Sequence, residues 1–303
     1  MEFRIQHWLW KKLTSWLAHE PPGSSEHLSD YERLQYEVRP ADVLLVEGRS
    51  HVSDIIKTIT LSAWTHAGLY IGRLHDIEDP ATRRYVLDHM HYDPDPGDPL
   101  VVEALLGEGT VISSLGRYDG YHLRICRPKG LSRQDAISVI RHAASRLGSD
   151  YDVRQILDLA RFMFPYGILP RTWRSSLFTH NTGVATHEVC SSMIAEAFHS
   201  VHFPILPVLA QDDEGQMHFL KRNHKLYTPN DFDYSPYFDI IKYPMLSFDE
   251  LAIYRALPWD REGVSGLASI DPRVLEPFYQ MNAKTKDIEQ GQKLTSIGKE
   301  KPA

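Results

Sequence analysis

Short apolar runs, each ending near a glycine or proline, fill the first half of the central sequence. Runs at 42–47, 67–72, 100–106 and 122–126 have the length and residue types of β-strands. Helical spacing of apolar residues occurs at 50–59, again at 132–147 between Ser132 and Gly148, and at 187–199. Strands followed by a mainly helical half predict an α+β fold.

Composition restricts the class of protein further. The 303 residues contain only two cysteines, too few for a disulfide framework, which favours a reducing compartment. With 33 Lys+Arg against 40 Asp+Glu, the net charge of −7 gives no overall basic footprint, so no nucleic-acid partner is expected. No stretch approaches the ~20 apolar residues that span a bilayer. We therefore expect a cytoplasmic protein, with peripheral attachment at the inner membrane face as the alternative.

The chain divides by composition into four parts. Residues 1–20 are predicted to form an amphipathic helix, and residues 21–36, which begin Pro-Pro-Gly-Ser-Ser, a linker. Residues 37–257 are predicted to form one folded domain. Residues 258–303 are an extension that ends in a polar tail, which is expected to be disordered.

The N-terminal segment contains three of the six tryptophans. Ile5, Leu9, Leu13 and Trp16 recur at helical spacing, and Lys11 and Lys12 add basic charge. Such a helix can lie in a membrane interface. Docking on the protein's own body, or on a partner protein, is the other interpretation.

The segment 74–99 is predicted to be a long loop or insertion. Its Asp88–Asp93 run, DHMHYD, contains residue types that bind metals, but nothing in the pattern holds them together. A solvated loop is the favoured interpretation.

Cys190 lies near the start of the predicted helix 187–199. If Thr186 caps this helix, the exposed N–H groups and dipole of the first turn stabilise a thiolate at Cys190. The alternative is a small buried apolar residue, which is the interpretation we adopt for Cys126.

A cysteine nucleophile usually needs a base and a group that orients the base. His66 shares one strand face with Gly68 and Tyr70, and the small Gly68 is expected to leave room for a packed helix. Glu103 interrupts an apolar strand and would be costly to bury alone, so a position beside His66 would satisfy both residues. An edge strand with Glu103 in solvent, and a core histidine at His66, are the alternatives.

Five segments in order carry a family resemblance. They are RPADVLL from Arg39, THAGLYIG from Thr65, VEA from Val102, GSDYD from Gly148 and EVCSS from Glu188. This order resembles the circularly permuted papain-like cysteine hydrolases of the YiiX/YebB type, in the NlpC-like superfamily. The segment from Leu226 to Phe238 is also similar, so the resemblance covers about Arg39 to Phe238. It implies a small antiparallel sheet packed against helices that include the cysteine-bearing helix.

The resemblance also implies roles for individual residues. Cys190 would be the nucleophile, His66 the base and then the acid, and Glu103 the orienting carboxylate. Tyr151 corresponds to a tyrosine near the site and would donate to the oxyanion or serve in packing. The backbone N–H of Cys190 is a further oxyanion donor.

The function expected from these residues is hydrolysis of an amide or ester bond in a small-molecule, peptide or lipid substrate, with no cofactor or metal. An acyltransferase with the same triad is the near alternative. A catalytically idle protein that binds a membrane surface or a partner is another. A zinc site made by Cys190, His66 and Glu103 is a further, less favoured alternative.

Overall fold

A six-stranded antiparallel sheet forms the centre of the protein. The computed structural model describes residues 19–20, 29–90, 92, 95, 97–151, 187–188, 190–212, 215–244, 252 and 255. The sheet contains β1 (Val43–Val46), β2 (His66–Arg73), β3 (Pro99–Leu105), β4 (Gly109–Ser114), β5 (Leu123–Pro128) and β10 (Phe238–Ile241). Their order is β10-β5-β1-β2-β3-β4, and each neighbouring pair is antiparallel.

Six α-helices accompany this sheet in the described part of the chain. They are α1 (Tyr31–Glu37), α2 (His51–Thr60), α3 (Pro80–Asp88), α4 (Arg133–Ala144), α5 (Cys190–Ser200) and α6 (Pro229–Tyr234). Short 3₁₀ turns lie at Leu74–Asp76, Leu115–Tyr118 and His224–Leu226. Two small sheets complete the list: parallel β6 (Asp150–Tyr151) with β7 (His187–Glu188), and antiparallel β8 (Val208–Gln211) with β9 (Met217–Leu220). The predicted α+β fold with an antiparallel sheet and helices is confirmed.

The two faces of the sheet bury separate groups of side chains. On one face, Ala67, Leu69 and Ile71 of β2 belong to a large core that includes the apolar residues of α4 and α5. On the other face, Tyr70 and Val101 belong to a smaller core. The alternation of neighbouring β2 residues between the two cores follows from the two-residue period of a strand.

The predicted linker 21–36 is wrong at its C-terminal end, because helix α1 begins at Tyr31. Asp30 caps this helix by accepting a hydrogen bond from the backbone N–H of Arg33 at 3.0 Å. Leu34 is buried in the smaller core and holds the helix against the sheet. A single buried residue in a short helix gives too weak a periodic signal to be recognised.

The predicted loop 74–99 is also wrong in part, because it contains helix α3. Asp79 caps α3 and Pro80 occupies its first turn, which is a favourable start for a helix. Val86 is fully buried in the larger core. Two local signals of a helix start were therefore present in a segment whose composition favoured a loop.

The cysteine-bearing helix starts later than the sequence predicted. His187 and Glu188 are in strand β7, and α5 begins at Cys190 itself. In the described part of the chain, no helix is long and apolar enough to cross a membrane. The predicted N-terminal helix, apart from its last two residues, and the predicted tail lie outside the described residues.

Candidate active site

Glu103 is a fully buried carboxylate in the middle of an apolar strand. Its exposed fraction is 0%, whereas its neighbours on β3 are apolar. Burying an unpaired carboxylate would be strongly unfavourable, so this residue requires partners. The cost is offset by donors from β2 and from the turn that follows β4.

His66 and Tyr118 both bind the same oxygen of Glu103. His66 Nε2 lies 2.6 Å from Glu103 Oε2, and the Tyr118 hydroxyl donates a short hydrogen bond to that atom. The other oxygen of Glu103, Oε1, accepts no hydrogen bond from the described residues. The Ser113 hydroxyl is nevertheless close enough to help lower the pKa of the Glu103 carboxyl. These contacts hold the His66 imidazole in one orientation.

Cys190 is the third member of the site. It is buried as the first residue of α5, and its thiol lies near enough to the His66 side chain for the charge of each group to shift the pKa of the other. Because Nε2 of His66 faces Glu103, Nδ1 is the ring nitrogen left for the thiol. Backbone N–H groups of Ala67 and Ser191 also stabilise the sulfur when it is charged.

The charges of the three groups shift one another's pKa values. Burial lowers the pKa of His66, but the Cys190 thiolate and the Glu103 carboxylate outweigh burial and raise it to about 10. Burial raises the pKa of Cys190, yet the charged His66 lowers it below its usual value. Burial likewise opposes ionisation of Glu103, and His66 holds its pKa below the ordinary value. The favoured state is a thiolate–imidazolium pair beside a carboxylate.

The expectation that Gly68 leaves room for the cysteine helix is wrong. A Cβ at Gly68 would lie 2.4 Å from Cγ1 of Val101, so the neighbouring strand already fills that space. Helix α5 packs on the opposite face of the sheet, against Ala67 and its neighbours. His66 still reaches Cys190 because His66 is the first residue of β2, at the end of the strand, and Cys190 is the first residue of α5.

The backbone of Tyr151 lies beside the strand that leads to Cys190. Strand β6 pairs with β7 so that Tyr151 is opposite Glu188, two residues before Cys190. The role of Tyr151 as an oxyanion donor or a packing residue stays a prediction.

Cys126 is fully buried in the larger core, and burial raises the pKa of its thiol well above the ordinary value. It is also paired in register with Val43 of β1, in the interior of the sheet. An unreactive structural role follows for this cysteine.

Tyr118 was missed by sequence reasoning. It ends the 3₁₀ turn after β4 and is buried, and burial together with Glu103 raises the pKa of its hydroxyl well above 10. A tyrosine in a polar Gly-Arg-Tyr-Asp-Gly turn is a weak signal. The need of Glu103 for a second donor was the only clue that the sequence offered.

Cys190, His66 and Glu103 are residue types that can bind zinc. Among the described residues, no group of three or more His, Cys, Asp or Glu side chains is arranged to hold a metal ion. In the Asp88–Asp93 run, His89 Nδ1 lies 2.8 Å from the carbonyl of Tyr85, and the two rings stack. The histidine thus has a local structural role.

The fold and these contacts define an α+β protein with a cysteine, a histidine and a buried glutamate close together at its central strands β2 and β3. No protein-family model matches the sequence, and no curated protein matches it. Among solved structures, the chain is similar to the crystal structure of the metalloprotein YiiX from Escherichia coli O157:H7. That similarity has 14% sequence identity and a TM-score of 0.41, and covers 68% of this chain and 97% of the other.

Proposed function

We propose that this protein is a cysteine hydrolase that cleaves an amide or ester bond through Cys190, His66 and Glu103. The observation that carries the proposal is the position of His66 between a thiol and a buried carboxylate, with Glu103 at 2.6 Å. Such an arrangement activates a thiol and fixes the base that serves it. The exposed fraction of the His66 side chain, 17%, gives the ring access to solvent at the site.

In the first half of the reaction, the Cys190 thiolate attacks the carbonyl carbon and a C–S bond forms. The carbonyl π electrons move to the oxygen, and backbone N–H groups at the start of α5 stabilise that oxyanion. His66 then gives its Nδ1 proton to the leaving nitrogen or oxygen as the original C–N or C–O bond breaks. An acyl-thioester on Cys190 remains.

In the second half, water adds to the acyl-thioester while neutral His66 accepts its proton. The C–S bond breaks, the carboxylic acid leaves, and the thiolate–imidazolium pair is restored. Glu103 stays ionised throughout and holds the ring in the orientation that both proton transfers need. Tyr151 and the Cys190 N–H are the proposed oxyanion donors.

The test is a panel of chromogenic acyl esters and peptide amides, measured with the wild type and Cys190→Ala. We expect hydrolysis of at least one substrate class by the wild type, and a loss of about 10³-fold or more in Cys190→Ala. Cys126→Ala is the matched control and should keep its rate. Activity that survives in Cys190→Ala would refute the proposal.

A further inference from the structure

Helix α2 presents an apolar face that the core does not cover. It joins β1 to β2 and so follows the end of the sheet where Val46 pairs with His66. Val52, Ile55 and Ile56 recur at helical spacing, yet Val52 and Ile56 are only half-buried and Ile55 is 41% exposed. None of these three belongs to either hydrophobic core.

Leu61, directly after α2, has two unfavourable features at once. Its side chain is 87% exposed, and its backbone has φ of 50°, in the left-handed region that bulky side chains rarely adopt. A leucine is a poor choice for this position if the position faces water. Its presence is explained if an apolar partner covers the end of α2.

The chain itself arrives at the start of this helix. The backbone N–H of His51, the first residue of α2, donates to the carbonyl of His19 at 3.4 Å, and the two rings lie 6.1 Å apart. The Tyr121 hydroxyl lies 2.6 and 2.8 Å from the two carboxylate oxygens of Glu20. His19 and Glu20 therefore lie beside the start of α2.

We propose that residues 1–18 dock on the apolar face of α2 as an amphipathic helix. The apolar stripe from Ile5 to Trp16 would span about 17 Å in a helix, and the ten residues of α2 span about 15 Å, so the two apolar faces have similar lengths. The stripe of Ile5, Leu9, Leu13 and Trp16 supplies an apolar surface for the exposed residues of α2. The occupant is this segment of the same chain, not a lipid surface.

The docking surface on α2 is close to the candidate active site in the chain. Helix α2 ends six residues before His66, and Tyr121, which holds Glu20, packs edge-on against Tyr118, the partner of Glu103. This inference stands on contacts outside the triad and does not depend on the hydrolase proposal.

Hydrogen–deuterium exchange of the full chain tests the proposal without lipid. An isolated helix of this length is marginal in water, so slow exchange in residues 5–17 reports docking. We expect these amides to exchange at least about tenfold more slowly than an unstructured chain in the wild type. The protection should be lost in Ile55→Glu and kept in Thr58→Glu, which adds the same charge at an exposed position outside the apolar stripe.

Slow exchange of β2 and β3 amides shows in the same experiment that each variant is folded. If Ile55→Glu disturbs the sheet, Leu61→Asp replaces it, because aspartate tolerates positive φ better than leucine. Protection of residues 5–17 that persists in the folded variant would overturn the proposal. So would wild-type amides that become protected only when phosphatidylglycerol–phosphatidylethanolamine vesicles are added, since lipid would then be the occupant.

Discussion

Replacing Glu103 with glutamine removes one charge from the candidate active site and keeps the side-chain shape. In the wild type, the carboxylate lies 2.6 Å from His66 Nε2 and stabilises the imidazolium. Glutamine can still accept a hydrogen bond from the ring, but it offers no negative charge. The imidazolium then loses stability, and so does the thiolate of Cys190 that depends on it.

The size of the effect follows from the kind of bond that is lost. A hydrogen bond with a charged partner contributes about 1.5–3 kcal/mol, which corresponds to about 1–2 pKa units. The apparent pKa of the Cys190 thiol should therefore rise by about 1–2 units in Glu103→Gln. At a pH below both pKa values, the thiolate fraction and the alkylation rate should fall about 10–100-fold.

The assay is the rate of iodoacetamide alkylation of Cys190 between pH 4 and 10, followed by peptide mass spectrometry. Cys126 is buried with a raised pKa and supplies an unreactive internal reference. Glu47→Gln is the matched control, because Glu47 also pairs with a histidine, His122, at 2.9 Å. An alkylation profile of Glu103→Gln that coincides with that of the wild type would refute the coupling of carboxylate, imidazolium and thiolate.

Three further predictions follow from the same contacts. Tyr118→Phe removes a buried donor to the Glu103 carboxylate, so the free energy of unfolding measured in urea should fall by about 1.5–3 kcal/mol. The pH profile of kcat should also shift, and an unshifted profile would leave Tyr118 a purely structural role. Gly68→Ala places a methyl group against the fully buried Val101, so the free energy of unfolding should fall by about 1–3 kcal/mol. An unchanged melting temperature would contradict the close packing. Between about pH 6.5 and 8.5, the Cys190–His66 pair binds one proton in both the folded and the unfolded chain, so it adds no pH dependence there. From about pH 8.5 to 10 the unfolded chain has lost its proton and the folded pair has not, so stability should decline with rising pH. Below about pH 6.5 the unfolded chain binds a second proton, so stability should decline with falling pH. In Cys190→Ala the decline between about pH 8.5 and 10 should be lost, because the Cys190 thiolate makes the largest contribution that raises the pKa of His66, and thermal melts that show the same pH dependence for both proteins would exclude the ion pair.

Residues of the candidate site could be recognised from the sequence because each one stands out against its neighbours in the chain. Glu103 stands out as an acid inside an apolar strand, and Cys190 as a cysteine near a predicted helix start. Each signal depends only on neighbours in sequence. The structure places Glu103 beside His66 at 2.6 Å, which is the pairing that the strand argument expected.

Two features of the site could not be predicted from the sequence: which face of the sheet α5 covers, and the contact of Tyr118 with Glu103. Both depend on contacts between segments that are distant in the chain. The period of a strand shows that His66, Gly68 and Tyr70 share a face, but not which face α5 covers. The error over Gly68 arose there, because Val101 of the neighbouring strand occupies the space that was assigned to the helix. Likewise, the meeting of Tyr118 with Glu103 depends on the turn that follows β4, and no periodic pattern encodes it.

The central claim is that the Cys190 thiolate forms an acyl-thioester. Intact-mass spectrometry after a short incubation with a p-nitrophenyl acyl ester measures this directly, and hydroxylamine distinguishes a thioester from an amide adduct. We predict one added acyl group in the wild type and in Cys126→Ala, released by hydroxylamine, and none in Cys190→Ala. An acyl group that persists on Cys190→Ala, or a wild type that gains none, would contradict the account.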